Sequence, residues 1–560
     1  MSASWDKETD VLVVGSGAGG LIGALFAAHQ RADVLIVEKA PEWGGSSAAS
    51  GGGIWIPCSD QAKAAGRTDS ADEAFGYVRQ LSAPNVPDAL IRAFVEGAPE
   101  MLRWMTDNTI IEYEALPYPD YHADEPGGKD GFRTHMPKAI DGRKLGWDVQ
   151  SLRPASPAAC LFGKINWNFT ETYMLLFRPP GWQLGLAKML WRYYGDVAQR
   201  LTSDKDRYLT LGNALMGGLR MALNEKKVPL WLEAPLESLV VENGRVVGAC
   251  VRHRGQTIRI GARKGVLLAA GGFEQSNALR AEHLALPQPE RSGGQTGNTG
   301  EAMMIARGAG AAVRNMHSTW SAPVFCVPGE DRARLCTIER ALPGCIMVNQ
   351  AGERYLNEAA SYHIVGRQMI ERSRPGAETD PSWMIFDATF RHKYPMGPLL
   401  PLLPDWAHPA AVRRILKTAD SIEGLAAAIG APAEKLAATV RRFNEYAARG
   451  EDPDFHRGEA TYDKLYGDAR TTPNPCLAPI LKGPFYAFPI YPGDIGTNGG
   501  LVTDSLGRVV DEAGAPIAGL YAAGNTASSV MGESYPGAGS TIGPALTFGY
   551  LAARSMTGAN

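Results

Sequence analysis

The strongest constraint on the fold lies near the start of the chain. Asp10–Val14 (DVLVV) is a short aliphatic and β-branched run behind one acid, the pattern of a parallel strand buried on both faces. It runs directly into Gly15-Ser16-Gly17-Ala18-Gly19-Gly20, a helical stretch follows (LIGALFAAHQ), and a second buried strand, DVLIVEK, contains Glu38 and ends at Lys39. Gly15, Gly17 and Gly20 make G-x-G-x-x-G, and Glu38 stands 18 residues beyond the last glycine. Strand, glycine turn, helix, second strand and acid are all in register, which predicts a dinucleotide site. The turn, with Ser16 and Ala18, lets backbone approach a pyrophosphate at a helix N-terminus, and Glu38 is placed to accept from ribose hydroxyls.

The next segment selects the dinucleotide. Gly44-Gly45-Ser46-Ser47-Ala48-Ala49-Ser50-Gly51-Gly52-Gly53 follows Glu38 within a few residues. A nicotinamide enzyme has no use for a second glycine-serine loop there, whereas a flavin needs backbone amides and small hydroxyls along its ribityl chain and ring. This assigns Gly45, Ser46, Ser47, Gly51, Gly52 and Gly53 to the cofactor. Two later runs, Val266–Gly272 (VLLAAGG) and Leu520–Asn525 (LYAAGN), each read as a buried strand ending at a cofactor, the second through Gly524 and Asn525. The arrangement resembles the FAD-binding flavoproteins of the fumarate reductase type, and FAD is the expected cofactor.

These signals predict an α/β fold: a Rossmann-like FAD-binding domain in two sequence segments plus an inserted α+β catalytic (substrate) domain. The FAD-binding domain takes 1–300 and 489–560, with an apolar insertion at about 150–210, and the substrate domain takes 301–488. With 56 basic and 59 acidic residues, the chain lacks the broad field that holds nucleic acid. The seven cysteines are scattered, with no C-x-x-C and no histidines at metal spacing, which suits a reducing compartment and predicts no metal. A polar N-terminus without a signal peptide and the lack of any membrane-length apolar run place the protein in the cytoplasm.

GESYPGAGSTIGPALTFGY (Gly532–Tyr550) holds glycines, prolines and a tyrosine around a single charge, Glu533. Its helix must begin late, with Ser540 or Thr541 as N-cap and Pro544 in the first turn. The helix N-terminus, Ile542-Gly543-Pro544-Ala545-Leu546, is then expected to face the flavin, where its dipole stabilises negative charge.

Over almost its whole length the sequence resembles the 3-ketosteroid Δ1-dehydrogenases. The likeness rests on GSGAGG with SGGGIWIP (Ser50–Pro57), YPDY (Tyr118–Tyr121), NEAASY (Asn357–Tyr362), PGDIGTNGGL (Pro492–Leu501) and SYPGAGSTIGPALTFGYLAA. The last segment lacks the arginine that fumarate reductases use for a dicarboxylate. The resemblance implies that Tyr121 and Tyr362 sit over the substrate ring while Tyr535 and Gly539 hold the 3-keto oxygen. It further implies 1,2-dehydrogenation of a 3-keto-4-ene steroid: proton abstraction from carbon 2 by Tyr362, assisted by Tyr121, and hydride transfer from carbon 1 to flavin N5. An electron acceptor, quinone-like or a flavoprotein, must then take the electrons.

Two alternatives stand beside this reading. One is a 4(5α)-dehydrogenase on the same fold, against which YPDY argues; the other is a flavoprotein that binds sterol or membrane without turnover. The insertion resembles that of longer relatives acting on sterols such as cholest-4-en-3-one. Within it, Trp182, Leu186, Met189, Leu190, Tyr193, Tyr194 and Val197 share one helical side, with Lys188, Arg192 and Arg200 at the margins. The segment 174–201 is therefore either a peripheral membrane contact or an ordinary core-facing helix. Gly397–Pro404 (GPLLPLLP) reads as a lining of a hydrophobic pocket or a buried inter-domain loop.

Overall fold

The computed structural model describes residues 4–286 and 288–559. Its larger sheet brings together strands from both ends of the chain. In spatial order these are Leu230–Trp231, Val34–Val37, Lys7–Val14, Gln256–Leu268, Arg245–His253, Pro516–Ala522 and Arg508–Val510, with Leu236–Glu242 paired to Arg245–His253. Lys7–Val14 is central and parallel to both neighbours, pairing Leu12 with Leu35 on one side and with Val266 on the other. Burial on both faces explains the aliphatic run Val11–Val14 in its second half. Gln256–Leu268 serves twice: its first half pairs antiparallel with Arg245–His253, its second half parallel with Pro516–Ala522.

Two helices cover one face of this sheet and cross each other closely. At the crossing of Ala18–His29 and Ile542–Thr557, a Cβ on Gly549 would lie 2.2 Å from the Gly19 carbonyl oxygen. Contact this tight is available only to glycine, and it locks the C-terminal helix onto the N-terminal βαβ unit.

The second sheet is antiparallel: Arg334–Leu335, Thr319–Phe325, Phe485–Thr497, Ser382–Asp387 and Cys345–Val348, with Lys417–Ala419 on the same long strand. The helix Tyr362–Glu371 lies on Thr319–Phe325, where a Cβ on Gly366 would meet Ala322 N at 2.4 Å. Gly397–Pro404 does not line the cavity described below. Leu399 is buried in the core of this sheet and Leu402 faces solvent, so the stretch is a core-edge loop.

The insertion folds as a hairpin, Cys160–Leu161 with Ile165–Asn166, followed by the helices Phe169–Phe177 and Trp182–Tyr194. Asn168 and Glu171 cap the first helix reciprocally. Met189 and Tyr193 pack with Leu161 and Ile165 in a small core that Leu186 and Leu190 border. The opposite side is open: Leu184, Trp191, Tyr194, Val197 and Leu201 are 60–82% exposed. The expected single apolar side is thus split, because Tyr194 and Val197 face solvent while Met189 and Tyr193 face the core. Two of the three basic residues also turn inward. Arg192 donates to Glu171 at 2.6 Å and stacks on Tyr208, and Arg200 lies over the Tyr193 ring. Among the described residues no helix is long and apolar enough to cross a membrane.

Candidate active site

The parallel strands end level with one another: Val14 pairs with Val37 and Leu268, and Leu268 with Ala522. The segments that leave them line one cavity of about 510 Å³. Of the residues assigned to a cofactor, Gly15, Ser16, Gly17, Ala18, Glu38, Lys39, Gly45, Ser46, Ser47, Gly51, Gly52, Gly53, Gly524, Asn525, Ile542 and Ala545 line it. Gly20, Gly543, Pro544 and Leu546 do not. A Cβ at Gly20 would lie 2.2 Å from Gly15 O and one at Gly543 2.7 Å from Trp55 O, while Pro544 and Leu546 are buried within the helix packing. These four shape the wall from behind.

The two glycine loops are tied to each other by the protein itself. Glu38 Oε2 accepts from Ser16 N at 3.0 Å and Ser16 Oγ at 2.6 Å, and the Ser16 hydroxyl accepts from Gly44 N at 2.9 Å. Ser47 Oγ accepts from Ala18 N at 3.2 Å. Glu38 therefore fixes the turn as well as facing the cavity.

This wall suits a dinucleotide. A Cβ at Gly17 would find its nearest neighbour at 3.7 Å and one at Gly51 nothing within 4 Å, so backbone is open to close approach on the cavity side. The helices Ala18–His29 and Ile542–Thr557 begin at the cavity with no hydrogen bond from their N-cap side chains, and although Ala18 N is taken by Ser47 Oγ, their positive dipole ends face phosphate or a ring that gains negative charge. Pro544 sits in the first turn of the C-terminal helix, and Thr541 holds the N-cap position.

Three phenols meet in the same cavity. Ring centroids of Tyr121 and Tyr362 are 5.5 Å apart, of Tyr362 and Tyr535 5.4 Å, and of Tyr121 and Tyr535 5.3 Å, the last pair stacked. All three are buried, and Gly539 lines the cavity with them. Each comes from a different part of the chain and each is anchored. Tyr121 N donates to Pro536 O at 2.9 Å, joining YPDY to the C-terminal glycine loop. Tyr362 opens the helix Tyr362–Glu371, and the loop before it is held where Glu358 meets Arg354 at 2.7 Å and Arg457 at 3.1 Å. Gly539 has φ +100°, and a Cβ there would lie 2.5 Å from Ile54. SGGGIWIP is thus the floor on which the glycine loop rests, and Trp55 further donates to the buried Asp120 at 2.7 Å.

Burial pushes the Tyr362 and Tyr121 phenols well above their usual range, and raises Tyr535 also. The Tyr535 hydroxyl lies 2.9 Å from Thr541 Oγ1; with Thr541 as donor, the Tyr535 proton is free for a ligand oxygen. The other side chains in ring contact with the triad are Tyr462, Trp320 and His363. Burial holds the His363 imidazole down at about 4, so it carries no charge at neutral pH. An uncharged, donor-bearing apolar chamber of this kind fits a neutral ketone.

Sequence reasoning passed over Tyr462 and Tyr466, and named Thr541 only as a helix N-cap. Tyr466 lines the cavity with its hydroxyl 2.8 Å from that of Tyr118, and Tyr462 lies 4.9 Å from Tyr121 with its own hydroxyl buried and unpartnered. Both come from TYDKLY (Thr461–Tyr466), where the clustering of two tyrosines was the one available signal.

Fold and cavity define an FAD-binding flavoprotein, and the family described as FAD binding domain matches residues 10–542. The chain belongs to the 3-oxosteroid 1-dehydrogenase family. It is 39% identical to the 3-oxosteroid 1-dehydrogenase of Mycolicibacterium smegmatis over 98% of this chain and 97% of that one. It is 37% identical to the 4-oxocyclohexanecarboxylate 2-dehydrogenase of Sinomonas cyclohexanicum, over 98% of this chain and 93% of the relative. The crystal structure of 3-ketosteroid delta1-dehydrogenase from Sterolibacterium denitrificans, in complex with 1,4-androstadiene-3,17-dione, superposes with a TM-score of 0.94. That protein is 43% identical, with 99% of this chain and 100% of that chain covered.

Proposed function

We propose that this protein removes the hydrogens at carbons 1 and 2 of 3-keto-4-ene steroids. The observation that carries the reading is the meeting of Tyr121, Tyr362, Tyr535 and Gly539 in a chamber continuous with the dinucleotide wall. Tyr535 O–H and Gly539 N–H hold the 3-keto oxygen and stabilise the charge that develops on it. Tyr362 takes the proton from carbon 2, which that polarisation acidifies, and Tyr121 orients and tunes Tyr362. Bound FAD supplies the acceptor for the hydride that leaves carbon 1.

The substrate is inferred to be of the sterol type. The insertion lends Trp167, Phe169, Thr172 and Tyr173 to the cavity while presenting Leu184, Trp191 and Leu201 outside, so it carries apolar side chains both at the chamber and on the surface. The inward turn of Arg192 and Arg200 makes any membrane contact one of apolar insertion more than of charge. The acceptor is assigned to the quinone-like or flavoprotein class. We place the return from the substrate domain later than 489, because the strand Phe485–Thr497 pairs along its length with the second sheet, up to Thr497 against Thr319.

Anaerobic mixing of the flavin-loaded protein with androst-4-ene-3,17-dione or cholest-4-en-3-one tests the reading. Bleaching of the flavin with appearance of the 1,4-diene is expected, and flavin that stays oxidised with both steroids would refute it.

A further inference from the structure

Glu274 follows the strand-end loop Ala269–Phe273 and is fully buried. Its Oε1 accepts from Asn298 Nδ2 at 2.6 Å; its Oε2 is buried without a partner. The same Asn298 amide reaches Ser46 Oγ at 3.3 Å, and Ser46 Oγ also accepts from Gln295 N at 3.1 Å. Ser46, Gln295 and Asn298 all line the cofactor cavity. Two glycines keep room for the carboxyl: a Cβ on Gly272 would lie 2.7 Å from Oε2 and one on Gly294 2.4 Å from Oε1. The returning strand closes another side, where Phe273 N donates to Thr497 Oγ1 at 3.1 Å.

Among the described residues no cation pairs with this carboxyl, although Arg280 Nη1 donates to the Glu274 main-chain carbonyl at 3.0 Å. Arg280 is committed to Asp494 at 2.8 Å, Lys39 to Glu301 at 2.8 Å, and His283 packs edge-on to Phe273. A buried carboxylate with one oxygen unpaired is costly, whereas the neutral acid is tolerated and has a proton to donate through Oε2.

We propose that Glu274 is a positioning residue for the cofactor: as the neutral acid it holds Asn298, Ser46 and the 294–298 loop in place, and cofactor binding draws a proton onto it. This rests on the FAD reading. Burial already holds the carboxyl up at about 7, and the negative charge that a pyrophosphate brings to the wall raises it further. Above about pH 7, binding must then take up a proton, and affinity falls by up to about tenfold per pH unit.

The test is flavin release from diluted holoenzyme, read by flavin fluorescence from about pH 6 to about pH 9. The native protein is expected to hold FAD evenly below about pH 7 and about tenfold more weakly one unit above it. Glu274→Gln, which keeps a neutral hydrogen-bonding group, should bind tightly with little pH dependence. Asn298→Ala, which keeps the acid but cuts its link to Ser46, should bind more weakly at every pH while keeping the pH dependence. A Glu274→Gln curve that tracks the native one would assign the titration to Asp494, Glu301 or His283 and overturn the proposal. So would a Gln variant that sheds flavin at every pH, or a native curve that is flat. A protein that carries no flavin at all would instead reject the FAD reading itself.

Discussion

Tyr362 is asked to act as a base from a place that favours its neutral form. Burial and the neighbouring Tyr535 raise its phenol, and Tyr121 opposes that only in part. The phenolate fraction therefore grows with pH: protonated throughout the neutral range, the group gains about tenfold in its basic form per pH unit. The rate of flavin reduction by steroid should rise with pH through neutrality without levelling there, which stopped-flow measurements check. Tyr362→Phe should retain FAD and bind steroid while losing about 10²–10⁴-fold in that rate. Tyr121→Phe should be milder, since its phenol tunes the base without taking the proton. Gly539→Ala meets both a left-handed backbone and a 2.5 Å approach to Ile54, so it should lower both the melting temperature and steroid affinity. These positions are legible in sequence because each sits in a compact motif. Tyr462 is not, since it enters the site only through tertiary packing, and Thr541 is legible as an N-cap but not as the partner of the Tyr535 hydroxyl, a contact that no spacing announces.

At the scale of elements, the insertion offers a clean contrast between its two sides. Met189 is buried in the small core, so Met189→Ala should destabilise by about 2–5 kcal/mol and lower the melting temperature. Leu184→Ser with Trp191→Ser removes only exposed surface. That pair should leave melting unchanged, reduce recovery with liposomes, and slow turnover of cholest-4-en-3-one more than that of androst-4-ene-3,17-dione. Equal loss on both steroids would reject a surface role. Helical periodicity located this element correctly but not its orientation, because aromatic residues satisfy either side and the salt bridge from Arg192 to Glu171 depends on the neighbouring helix. The βαβ unit was far more legible, since strand, turn and helix are contiguous and their glycines answer to local geometry.

The whole molecule depends on the two places where the chain passes between its sheets. There Arg280 and Asp494 pair at 2.8 Å with almost no exposure, and Ser292 donates to the same carboxylate at 2.6 Å. Arg280→Met leaves Asp494 buried and unpaired, at a cost of about 3–5 kcal/mol. Thermal scans should show that variant releasing flavin and unfolding at a common, lower temperature, because the crossing borders the loop that carries Asn298.

The sharing of one sheet between Lys7–Val14 and Pro516–Ala522 also sets a timetable for biosynthesis. A ribosome adding about 5–20 residues per second completes the glycine turn at Gly15 about half a minute or more before it reaches Tyr535 and Gly539. For the later part of that interval, once Leu267 and Leu268 have been made, their strand edge waits for its neighbour Tyr521–Ala522. The cavity is therefore completed only when the last strand and helix of the chain have docked.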